Sequence, residues 1–315
     1  MRGFIKQAKS KLKAFGQKVG SARSDEHIVP DLPALLLDSR RIASALYNGN
    51  HHLKRSGQGY DFWQFRPYQP GDDPRRIDWR QSARGDSILL REKEQSNMQT
   101  ALVYVDNTPS MRYGQKSPHA FLCAASTINA LAMGNERFGL LEQSGSDIGL
   151  GHSKSHCERV IAFLQDKMVR PSQTLEIRQH IPQNCCAIFI SDFLSPLHEI
   201  QATLKILAQR CSRVIALQIL DHDEVHFHFS GHTVFTDMQQ IHNRDFDAAE
   251  TIADHYKSKL RSHLNAFDSL CRHYNITHLF HETGQPVENA AKDLWQALHS
   301  QNFKQKATNF KEVAA

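Results

Sequence analysis

Long apolar runs are missing from this chain of 315 residues. Nothing approaches the roughly 18 apolar residues in a row that a membrane span requires. The longest run, around Ala187-Ile188-Phe189-Ile190, is strand-sized. The signatures of several enzyme classes are missing too. There is no G-x-x-x-x-G-K-[ST], which Gly149-Leu150-Gly151-His152-Ser153-Lys154 resembles only superficially, so ATP hydrolysis is not expected. There is no G-x-S-x-G nucleophile elbow. The 19 histidines include no HExxH and no Cys/His set with zinc spacing. His51-His52 therefore reads as a loop pair, and His226-x-His228 as exposed positions of an extended stretch, Val225–Phe229. CxxC is absent among the six cysteines, which points to buried free thiols in a reducing compartment. Cys185 and Cys186 are adjacent within a predicted strand, so their side chains should face opposite ways.

What is present is the composition of a globular protein, with 23% charged and 40% apolar residues and a length that suits one or two domains. The net charge of +5 is unevenly spread. Arg2, Lys6, Lys9, Lys11, Lys13, Lys18 and Arg23 all precede the first acid, Asp25, with Phe4, Ile5, Leu12, Phe15 and Val19 interleaved. Two readings stay open: an amphipathic segment over residues 1–24 in peripheral contact with an anionic membrane face, or a frayed, solvated terminus. A secretory signal is not expected, because the stretch has no apolar h-region and no small-residue cleavage site. A cytoplasmic location follows as the expectation.

Four regions are predicted: a basic tail over 1–30, an irregular α+β segment over 31–98 packing on the main domain, an alternating α/β domain over 99–300, and a disordered tail over 301–315. Asp31–Asn50 carries a helical pattern. His51–Asn97 is rich in Gly, Pro, Arg and Asp, with short strands at Phe62–Phe65 and Ser87–Glu92. Beyond Gln99 strands and helices alternate. Strands are expected at Ala101–Asp106, Arg137–Gln143, Cys185–Ser191, Arg213–Leu220, His232–Asp237 and His278–His281. Helices are expected at Ser117–Met133, Ser155–Met168, Pro196–Gln209, Asp245–Tyr274 and Val287–His299. Such alternation implies a doubly wound, mostly parallel sheet.

The most informative local feature is Asp106-Asn107-Thr108-Pro109-Ser110-Met111, directly after the apolar run Thr100–Val105. Ligands of open α/β sheets bind beyond the carboxyl ends of the strands. One carboxylate and two hydroxyls at such a place, all hard oxygen donors, suit Mg²⁺ or Mn²⁺. A second acid, Asp192, follows Ile188-Phe189-Ile190-Ser191 at another strand end. Two carboxylates brought together repel unless a cation or proton lies between them. Thr174, in Pro171-Ser172-Gln173-Thr174-Leu175, is the best-placed hydroxyl from a third loop. The plainer alternative makes Asp106 and Asp192 helix N-caps and loop acids.

A second constellation spans Arg66 to Arg84. Pro70-Gly71 marks a turn, and Asp72, Asp73 and Asp78 alternate with Arg75, Arg76, Arg80 and Arg84. Guanidinium groups fork onto carboxylates. The segment is therefore either an internal ion-pair lattice or a surface that reads a partner.

These residues resemble a known family. Gly59-Tyr60-Asp61-Phe62, then Arg66-x-Tyr68-x-Pro70-Gly71-Asp72-Asp73-x-Arg75-x-Ile77-Asp78-Trp79 and Ser82-Ala83-Arg84, are similar to the signature of the bacterial domain-of-unknown-function family number 58. The likeness runs from about Ser39 to His299 and includes Asp221-x-x-Glu224, similar to the family's late acidic pair. It implies a von Willebrand factor A-like (Rossmann-like) fold with a metal-ion-dependent adhesion site. The family's Asp-x-Ser-x-Ser falls on Asp106, Thr108 and Ser110, its loop Thr on Thr174 and its later Asp on Asp192. Thr108 in place of Ser keeps the hydroxyl, and Pro109 removes only a backbone donor. The resemblance further implies a partnership with a MoxR-type AAA+ ATPase.

Two functions compete. One is a non-enzymatic, Mg²⁺- or Mn²⁺-dependent adaptor that works with such an ATPase on a client complex, with no nucleic-acid partner. The other is a metal-dependent hydrolase of phosphodiesterase type using the Asp cluster.

Overall fold

The computed structural model describes residues 31–49, 56–69, 72–85, 87–94, 100–141, 148–170, 181–182, 184–236 and 243–299. The chain divides into two compact units, one formed by residues 1–46 with 100–315 and the other by 47–99. Thr174, Gly71 and the tails, including the basic stretch 1–24, lie outside the described residues.

The larger unit is built on strands that their composition makes inevitable. β3 (Thr100–Val105), β5 (Cys185–Ser191) and β6 (Arg213–Leu220) are nearly continuous apolar runs, and almost every residue in them is buried. Such runs belong in a sheet covered on both faces. With β4 (Arg137–Leu140) and β9 (Thr277–Glu282) they form a five-stranded sheet in the order β4-β3-β5-β6-β9, every pair parallel. The fold is thus the expected doubly wound α/β arrangement.

Side-chain alternation distributes each strand between two cores. Ala101, Val103 and Val105 face a core shared with Ile42, Ala43 and Leu46 of α1 (Leu32–Gly49), α3 (Lys116–Met133), α4 (Lys154–Val169) and α8 (Val287–His299). Leu102 and Tyr104 face the other, formed with α5 (Leu197–Arg210) and α7 (Ala253–His273). Cys186 belongs to the first core and Cys185 to the second, as their adjacency requires. All six cysteines are free and buried, and the Cys185 and Cys211 sulfurs lie 3.5 Å apart. Each large side chain withdrawn from water in this way contributes roughly 1.5–3 kcal/mol.

Three local expectations are corrected. The helix after the Asp106 loop starts at Lys116, with Gln115 at its N-cap, one residue before the expected start at Ser117. The stretch expected to open a long helix at Asp245 instead forms β8 (Asn243–Phe246). It pairs antiparallel with β7 (Thr233–Thr236), and α7 starts only at Ala253. His226 is not an extended residue either. It ends α6 (His222–His226), a short helix fixed by a capping box in which Asp221 and Glu224 satisfy each other's backbone N–H groups.

In the smaller unit β1 (Ser56–Pro67) pairs antiparallel with β2 (Leu89–Glu94), and α2 (Trp79–Ser82) lies in the connection between them. Arg66 forks onto Asp72 through two bonds of 2.7 and 2.6 Å, and the Gln69 N–H donates to the same carboxylate at 2.9 Å. Among the described residues, Asp73 and Asp78 do not extend this pair into a lattice. Each caps a helical turn, accepting from the Arg75 and Gln81 N–H groups. Tyr68 is half-buried, while Arg75, Arg80, Arg84 and the Trp79 ring are exposed. No helix among the described residues is long and apolar enough to cross a membrane.

Candidate functional site

The strand order reverses at β3, whose neighbours are the following strand β4 on one side and β5 on the other. Beyond the carboxyl ends of β3 and β5 lies the crevice that such a reversal opens. Asp106 and Asp192 are the residues that immediately follow these two strands. The Asp106 N–H extends the ladder by donating to Ile190 at 2.8 Å, which fixes one strand end against the other.

Asp106 is held by neutral donors. Its Oδ1 accepts the Thr108 N–H at 2.9 Å, and its Oδ2 accepts the Ser191 hydroxyl at 2.6 Å. The Thr108 and Ser110 hydroxyls lie 3.1 Å apart, on the same side of the loop. Burial, reinforced by the Asp192 charge, raises the Asp106 carboxyl above the usual range. Asn107 reaches the other way. Its side-chain amide donates to the Lys167 and Arg170 carbonyls, and Arg112 donates to Val169 at 2.7 Å. The end of α4 is thereby tied to the Asp106 loop.

Asp192 has a partner that the sequence reading missed. The fully buried Lys116 ammonium donates to Asp192 Oδ2 at 3.1 Å and to Glu224 Oε1 at 2.6 Å. Burial works to lower the Lys116 pKa, but the two carboxylates outweigh it and leave it raised. Burial pushes the Glu224 carboxyl up to about 7 even though Lys116 pulls it down. Asp221 completes the frame, its Oδ2 accepting the Gln115 N–H at 3.0 Å and the Thr283 hydroxyl at 2.9 Å. Gly114 makes that approach possible. Its φ is +56°, and a Cβ there would stand 1.9 Å from Asp221 Oδ2.

The family described as "Protein of unknown function DUF58" matches residues 64–266, more than half of the sequence. The chain belongs to this family. It is also similar to uncharacterized proteins of Mycobacterium bovis and Mycobacterium tuberculosis. Each is 23% identical over 254 residues, covering 76% of this chain and 80% of the relative. No solved structure matches.

The family match takes in both constellations: the Arg66–Arg84 signature in the smaller unit, and the Asp106, Lys116, Asp192 and Glu224 cluster in the larger one. That cluster holds three carboxylates and one ammonium, which contacts Asp192 and Glu224, and carries a net charge of −2 when all are ionised. One divalent ion would neutralise it. Asp106, Thr108, Ser110 and Asp192 supply hard oxygen donors of the kind that Mg²⁺ and Mn²⁺ take, so the residues present fit such an ion.

Proposed function

We propose that this protein is a non-enzymatic adaptor whose divalent-ion site captures a carboxylate of a partner. Its place is in the cytoplasm, beside a MoxR-type AAA+ ATPase, in the assembly or maturation of a client complex. The observation that carries this reading is Asp106: a half-buried carboxylate with neutral partners, raised by desolvation and by Asp192, next to two convergent hydroxyls. A bound Mg²⁺ or Mn²⁺ would supply a Lewis-acidic position for an incoming carboxylate. Asp106, Thr108, Ser110 and Asp192 would hold the ion. Ser191 orients Asp106, and Lys116 holds Asp192 in place through its ammonium. The set contains too few carboxylates to hold two metals, and it includes no group placed as a general base, which favours binding over hydrolysis.

Calorimetric titration of the full chain with MgCl₂ and MnCl₂, on wild type and Asp106→Ala, tests the ion. Co-purification with the MoxR-type ATPase of the same cell, in Mg²⁺ against a chelator, tests the partner. Metal-dependent capture that Asp106→Ala abolishes is the expected result. Equal capture by wild type and variant would overturn the reading.

A further inference from the structure

The outer face of the α6 turn carries a second cluster that the Asp106 site does not use. His222 and His226 stand one helical turn apart, on the same face. His222 Nδ1 is bonded to Glu282 Oε1, and His226 Nε2 lies 3.0 Å from the same oxygen. The three potential ligand atoms all lie within 4.8 Å of one another. We propose that His222, His226 and Glu282 form a transition-metal site that binds Zn²⁺.

The donor set decides the class of ion. Two imidazole nitrogens and one carboxylate oxygen suit zinc, whereas Mg²⁺ takes oxygen ligands and keeps several of its waters. Three protein ligands with one position left to water is the composition of an open zinc site. The exposure fits this, since the His222 side chain is 47% exposed while that of Glu282 is 15% exposed. In the neutral tautomers that donate to Glu282, each imidazole nitrogen directs its proton at the same carboxylate oxygen. On binding, that proton moves to the other ring nitrogen and the metal takes its place.

The ligands are also held before any ion arrives. Glu282 ends β9 in register with Leu220, the last residue of β6, and α6 opens immediately beyond Asp221. The Thr283 N–H donates to Leu220 at 3.0 Å, the His222 N–H to Thr283 Oγ1 at 3.1 Å, and that hydroxyl donates to Asp221. Phe227, in the left-handed region at φ 52°, stops the helix directly after His226. A Cβ at Gly284 would stand 3.0 Å from His222 Nδ1, so the bare glycine leaves room at a ligand atom. The site is separate from the oxygen-donor site. Glu224, between the two histidines in sequence, turns inward to Lys116, whereas they turn outward.

Equilibrium dialysis of the chelator-treated full chain against ZnCl₂, in excess Mg²⁺, tests the site. One Zn²⁺ per chain is expected. His226→Ala and Glu282→Gln should each weaken it at least about tenfold, while His152→Ala, at an exposed histidine elsewhere, should not. Co²⁺ in place of Zn²⁺ should give visible absorption bands that both ligand variants lose. Circular dichroism confirms that the variants fold. Sub-stoichiometric binding, or equal losses in all three variants, would overturn the proposal.

Discussion

The Lys116 ammonium lies 3.1 Å from Asp192 and 2.6 Å from Glu224, with all three side chains buried. Removing one partner from a buried ionic group leaves uncompensated charge behind and costs about 3–5 kcal/mol. Lys116→Met should therefore lower the stability of the full chain by about that amount in urea denaturation. Adding Glu224→Gln should recover part of the loss, because only one carboxylate is then left without its cation.

Asp106→Asn should have the opposite character. It removes a charge whose ionisation desolvation and Asp192 oppose, so stability at neutral pH without metal should change little or rise. Mg²⁺ should raise the melting temperature of wild type by mass action and leave the variant unmoved. Differential scanning fluorimetry with and without chelator reads both halves of this expectation.

Two buried groups make stability respond to pH in opposite directions. Glu224 is raised from 4.5 to about 7, so its contribution is fully present below pH 4.5 and fades as pH rises through about 7. His281 is lowered from 6.5 to about 4, by burial first and then by His119, whose Nδ1 lies 2.8 Å from His281 Nε2. Its contribution is present above pH 6.5 and is lost as pH falls through about 4. Relative to wild type, Glu224→Gln should tilt the stability profile between these limits towards higher pH, and His281→Gln towards lower pH. Chemical denaturation at a series of pH values gives both slopes.

Gly114→Ala should destabilise by at least about 2 kcal/mol. It combines a non-glycine residue at positive φ with a Cβ driven into the Asp221 carboxylate. The displaced carboxylate would also release the Gln115 N–H at the start of α3. A fall in thermal midpoint accompanied by faster hydrogen exchange at the start of α3 is the expected signature.

The sheet and the two strand-end aspartates were legible because they are local: an apolar run long enough for a strand, then an acid where the run stops. Asp106 and Asp192 needed only that pattern. Lys116 did not announce itself. Ser117-Pro118 resembles a helix start, and the value of the lysine comes from Asp192 at one strand end and Glu224 in α6, both distant in sequence. The His222, His226 and Glu282 cluster was hidden for the same reason, because Glu282 reaches the histidines only through the pairing of β9 with β6. One local signal was available, since Asp221-x-x-Glu224 has the spacing of a capping box and makes His226 helical rather than extended. The β7–β8 hairpin escaped because Asn243–Phe246 is short and polar, and its strand character comes from its partner.

The parallel order of the central sheet has a consequence for the timing of synthesis. Asp106 leaves the ribosome early, Asp192 much later and Glu224 later still, and no two of them are neighbours until successive crossovers have closed. Non-local pairings of this kind form slowly. A nascent or misfolded chain therefore has no arrangement of these oxygens to offer, and an ion retained here would certify that the sheet has finished assembling.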